Sequence, residues 1–161
     1  GADQFVLAKA ADMVGANGAN VNSINDFMVG EDKFFFDVSG TVSNGGTALT
    51  GAGDILKGVT FTAATAKMAD FNVALSSNAV VNSLADVYAK LTTTLDAAAF
   101  GKSAVDGTAT VARVVTFSTG DAAGTYLVIN DATDAFQAAD DVVINITGIE
   151  GTLSAADFTF A

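Results

Sequence analysis

Two groups of aspartates are the residues of this 161-residue chain best suited to do chemistry. Asp3 and Asp26 lie near the start; Asp131, Asp134, Asp140 and Asp141, with Asn130, lie toward the end. Asp is a short, hard oxygen donor, and calcium takes about six to eight oxygens at roughly 2.3–2.6 Å from carboxylates, carbonyls and water. Ca2+ is therefore the expected ligand. The later group brackets a loop of about ten residues that could fold its carboxylates round one ion. Its spacing does not match the EF-hand pattern. A polar hairpin loop turned by Asn130 and Asp131, with Phe136 tucked under a sheet, accounts for the same residues without metal.

Other chemistry has little to work with. There is no His and no Cys, so no imidazole base, no thiolate, no Ser-His-Asp arrangement and no disulfide framework. Zinc lacks its usual nitrogen and sulfur ligands. A carboxylate pair could serve a glycosidase, but the acidic doublets Glu31-Asp32 and Asp140-Asp141 sit in turn-like segments that need no active site to explain them. In particular, Gly30-Glu31-Asp32-Lys33 reads as a turn with a solvated acidic pair. No Gly-rich loop followed by Lys enters a helix, so nucleotide binding has no motif. The chain is expected not to be an enzyme.

Composition bounds the rest. Half the residues are apolar and 16% are charged, the balance of a folding chain rather than a disordered one. The net charge of −11 comes from 16 Asp and 2 Glu against 7 basic residues, and no Lys or Arg follows Arg113. That balance excludes nucleic acid as a partner, because phosphate contacts need Lys and Arg. No apolar run approaches the ~20 residues that span a bilayer, so no membrane span is expected. No basic and apolar leader opens the sequence, which fits an excised chain or export by a route without an N-terminal signal.

The elements that must position these residues are mostly strands. Residues 4–7, 23–28 and 33–38 read as short strands, with a turn at 30–32 and breakers at 43–46 and 51–54; 59–63 could be another strand. Phe34-Phe35-Phe36 puts aromatics on both faces of its strand, which calls for cover on both sides and hints at an interface. Leu84, Val87, Tyr88, Leu91 and Leu95 form an amphipathic stripe over about 82–98, with Asn82 or Ser83 as cap and Gly101 past the end. Such a stripe packs on a sheet. Residues 111–118, 125–130, 141–147 and 157–160 then read as an antiparallel meander beneath that helix.

Two resemblances bear on function. Gly1-Ala2-Asp3-Gln4-Phe5, then Ile24-Asn25-Asp26-Phe27 and Gly30-Glu31-Asp32-Lys33, resembles the segment that closes the calcium-binding repeat array of RTX proteins, exported by type I secretion. It covers residues 1 to about 40, without the repeats that would precede it. The resemblance implies that Asp3 belongs to the last turn of a β-roll and Asp26 to its closing motif. It leaves open whether Asp3 keeps an intact site without an upstream repeat. Gly124-Thr125-Tyr126-Leu127-Val128-Ile129-Asn130-Asp131, with Phe136-Gln137 and Asp141-Val142-Val143-Ile144-Asn145-Ile146-Thr147-Gly148, resembles a C-terminal module of secreted and S-layer proteins of cyanobacteria and other Gram-negative bacteria. Ala135 stands where that module often has Gly. The close, Leu153 to Ala161, is similar to uncleaved type I secretion signals and equally reads as a final strand.

The expected fold is mainly β with one amphipathic helix: a β-roll-cap-like segment over 1–40, then a helix-covered antiparallel sheet or sandwich over 41–161. The expected function is a non-catalytic, calcium-ordered, type I secreted structural protein, extracellular or at the cell surface, as subunit or terminal module of a surface layer, filament or adhesin. The alternative is the secretion and folding-cap tail of a larger RTX enzyme such as a protease. Expected partners are copies of itself or upstream repeats of the same polypeptide, and the type I secretion machinery.

Overall fold

The computed structural model describes residues 1–7, 21–36, 43–44, 47–48, 71–96, 112–129, 135–139 and 141–160. Along them run β1 (Gln4–Leu7), β2 (Asn22–Ser23), β3 (Lys33–Phe36), β4 (Ser43–Asn44), β5 (Thr47–Ala48) and β6 (Phe71–Val80). After β6 come α1 (Leu84–Thr94), β7 (Ala112–Thr119), β8 (Gly124–Ile129), β9 (Val142–Asn145), a 3-10 turn (Ala155–Asp157) and β10 (Phe158–Phe160). The chain is mainly β with a single α-helix among the described residues.

The amphipathic stripe becomes α1. Ser83 caps it, its hydroxyl accepting the Asp86 N–H at 3.2 Å, while the Asp86 carboxylate accepts the Asn82 N–H at 2.9 Å. This reciprocal capping satisfies two donors at the helix entry. Val87, Tyr88, Leu91 and Leu95 are buried against Val115, Phe117, Tyr126, Val128 and Val143 of the sheet. Gly120 fixes the approach. It adopts φ 110°, and a side chain there would run into the Val81 backbone, which exchanges hydrogen bonds with Thr119 and Ala122.

The larger sheet has the order β2-β9-β8-β7-β6. β7, β8 and β9 form the expected antiparallel meander. The sheet as a whole is mixed rather than antiparallel, because β2 joins β9 and β6 joins β7 in parallel. β6 is a strand that alternation alone does not announce, since its residues 76–79, Ser-Ser-Asn-Ala, are small or polar. The chain passes from β6 through α1 to β7, and parallel neighbours require such a crossover. Opposite α1 the sheet presents Ala112, Val114, Leu127, Ile129, Val142 and Ile144, all buried. β7, β8 and β9 are thus covered on both faces, as near-continuous apolar runs demand.

The smaller sheet, β1-β3-β10, is wholly parallel. Its register aligns Phe5 with Phe34 and Phe34 with Phe158. Phe34 stacks on Phe158 at 5.2 Å and on Phe27 at 4.5 Å, with Phe5 6.2 Å away on the other side. Two pairings cross residue 40: β10 lies beside β3, and β2 beside β9. A further bridge joins Met28 to Glu150. The possible strand at 59–63 and the breaker at 51–54 lie outside the described residues.

Candidate functional site

In the parallel sheet every strand begins one residue after an aspartate: Asp3 before β1, Asp32 before β3 and Asp157 before β10. Two of these carboxylates are clamps. Asp32 is 2% exposed; one oxygen accepts the Met28 N–H of its own turn at 2.8 Å, the other the Asp3 N–H of the neighbouring rung at 2.8 Å. Asp157, also 2% exposed, repeats the arrangement. One oxygen accepts the Ser154 N–H at 2.8 Å and hydroxyl at 3.0 Å, and the other accepts the Gly30 N–H of the turn leading to β3 at 3.2 Å. Gly30, at φ 90°, is in the left-handed region that turn requires. Lys33 reaches back across the rung, its ammonium donating to the Ala156 carbonyl at 2.8 Å and lying 3.5 Å from Asp157.

Backbone hydrogen bonds hold the Asp32 carboxyl below its ordinary range, first from Met28 and then from Asp3. At Asp157 burial pushes upward, but the Ser154 and Gly30 hydrogen bonds and Lys33 outweigh it, so that carboxyl too is lowered. Both are therefore anions at neutral pH, buried and satisfied by N–H donors. The turn expected to carry a solvated acidic pair does so only at Glu31: Asp32 is buried because its carboxylate closes the turn and ties down the next strand.

The aspartates read as calcium ligands fall in three situations. Asp3 is exposed at the outer end of β1, its backbone carbonyl accepting the Lys33 N–H at 2.9 Å. Asp26 is exposed beside the buried Phe27. Asp141 is fully buried just before β9; its carboxylate accepts the Gln137 N–H at 2.7 Å and its own N–H returns to the Gln137 carbonyl at 2.9 Å. Asp131, Asp134 and Asp140 lie outside the described residues. Among the described residues no three acidic side chains converge to hold a metal ion. Asp3 by itself would offer one or two of the oxygens that calcium takes.

Phe136 docks the loop before β9 onto the helix. Its N–H donates to the Leu95 carbonyl at 2.8 Å, and its ring meets Tyr88 edge-on at 5.7 Å. The preceding Ala135 holds φ 67°, a left-handed conformation that costs a side chain more than it costs Gly.

Sequence reasoning passed over Asp32 and Asp157 as functional residues, yet a signal was present. Asp immediately precedes an aromatic-bearing strand three times, in Asp3-Gln4-Phe5, Asp32-Lys33-Phe34 and Asp157-Phe158. No family model, curated protein or solved structure matches the chain significantly.

Proposed function

We propose that this chain is a non-catalytic structural module of a secreted surface protein that works by stacking parallel β-rungs, with calcium ordering the stack. The observation that carries the reading is the β1-β3-β10 sheet: three strands distant in sequence lie parallel and in register, joined by an aligned Phe row and by aspartate clamps. Such geometry suits lengthening by further rungs. The likeness of residues 1–40 to the close of an RTX array supports the same reading, as does a chemistry without His or Cys. Charge supplies the mechanism. At −11 the chain repels itself when calcium is scarce, and ions bound to the folded form alone would shift the balance toward it.

Calcium titration followed by circular dichroism and light scattering tests this. The expected result is β-structure and particle size rising together at about 10⁻⁴–10⁻³ M calcium, the range of extracellular modules. Chelation should reverse both. A chain equally folded and equally sized with and without calcium would overturn the calcium-ordered reading.

A further inference from the structure

The clamps of the parallel sheet run in one direction. Asp157 crosses from β10 to the Gly30 N–H at 3.2 Å, and Asp32 crosses from β3 to the Asp3 N–H at 2.8 Å. Asp3 occupies the same place in the outermost rung, immediately before β1, with its carboxylate exposed. Among the described residues that carboxylate receives no hydrogen bond and forms no ion pair, and no strand lies beyond β1. Val6, in the same edge strand, is 51% exposed. The next member of the series would be a rung whose leading turn offers a backbone N–H to Asp3.

We propose that β1 docks a second copy of this chain, whose β10 lies against it as the next parallel rung, with Asp3 clamping the turn that leads into that strand. The occupant must run parallel to β1, carry an aromatic in line with Phe5, and be led by a tight turn. β10 meets all three conditions: it already runs parallel to β3, its Phe158 aligns with Phe34, the 3-10 turn leads into it, and it forms the opposite edge of the same sheet. A twofold pairing of β1 with another β1 fails them, because it would be antiparallel and would set Asp3 at the far end of the partner strand. Contact between two different edges is head-to-tail. It leaves a β1 edge open on each added copy, so growth continues instead of stopping at a dimer. The proposal rests on the stacking role above, but not on its calcium requirement.

Cross-linking across the new rung tests it, helped by the absence of native Cys. Val6 and Thr159 both align with Phe35, so within one chain they are two rungs apart, about 9.6 Å, beyond disulfide reach. Between copies they would be adjacent rungs at about 4.8 Å. Oxidised Val6→Cys/Thr159→Cys should therefore give a ladder of multimers on a non-reducing gel. In sedimentation of the uncross-linked chain, Asp3→Ala should move the onset of assembly to at least about tenfold higher concentration. Its circular dichroism should match the unaltered chain, since the backbone N–H that serves Asp32 remains. Monomers only, a double variant that stops at dimers, or Asp3→Ala assembling like the unaltered chain would each overturn the proposal. Circular dichroism with and without calcium separates the two readings. Calcium-induced folding without a ladder sinks this interface alone; a ladder without any calcium response sinks the calcium requirement alone.

Discussion

Asp157 and Asp32 each gather backbone N–H groups from two rungs around one buried carboxylate. The Lys33–Asp157 pair adds little, because the lysine is partly exposed and 3.5 Å away. The hydrogen bonds matter more, since removing the carboxylate strands the Gly30 and Ser154 N–H groups. Asp157→Ala should cost about 3 kcal/mol in urea unfolding. The pH dependence follows from the lowered carboxyls. Their folded values lie below the ordinary 3.8, so the unfolded chain binds protons first as pH falls. Their contribution is fully present above the ordinary value and is lost as pH drops through the folded values. Stability should therefore fall steeply below about pH 4, and Asp157→Asn should flatten that slope. An unchanged acid slope in the variant would refute this role.

At the scale of elements, α1 is held by packing more than by its own ends. Leu91 is fully buried at the centre of the helix–sheet core, whereas Ser83 contributes one capping hydrogen bond. Leu91→Ala should cost about 3 kcal/mol and Ser83→Ala about 1 kcal/mol in equilibrium unfolding. If the two cost the same, the helix would not be anchored by the face identified here. The stripe was legible because helical periodicity repeats locally: of the five residues the spacing marks, Val87, Tyr88, Leu91 and Leu95 are buried and Leu84 is partly buried. β6 was not legible. The small and polar residues at 76–79 form a strand by pairing with β7, a partner more than thirty positions away. Tertiary pairing there overrides a weak local preference.

Across the whole molecule, the first and last strands flank β3 in one sheet. β10 completes a sheet begun by β1 and β3, so Phe34 is buried between rings from positions 27 and 158. Deleting residues 158–161 should leave the five-stranded sheet folded but expose β3. Amide exchange at Lys33–Phe36 should then rise sharply, while β7 and β8 stay protected. Uniform loss of protection would mean that the sheets fold only together. Such a contact joins residues over a hundred apart, so forming it carries the entropic cost of closing a long loop.

What the sequence determined by itself is local and periodic. It specified a mainly β chain, the helix α1 with its buried stripe and cap, the positions of β1, β3 and β7 to β10, and a net charge of −11; of the strand expected at 23–28, only Asn22–Ser23 forms. Only the tertiary structure decided which strands run parallel, that β10 lies against β3, and that Asp32 and Asp157 are buried clamps while Asp3 is left at an edge. The reason is physical. Periodicity records which face of an element is apolar, whereas strand order and carboxylate burial depend on partners distant in the chain, whose identity no local pattern encodes.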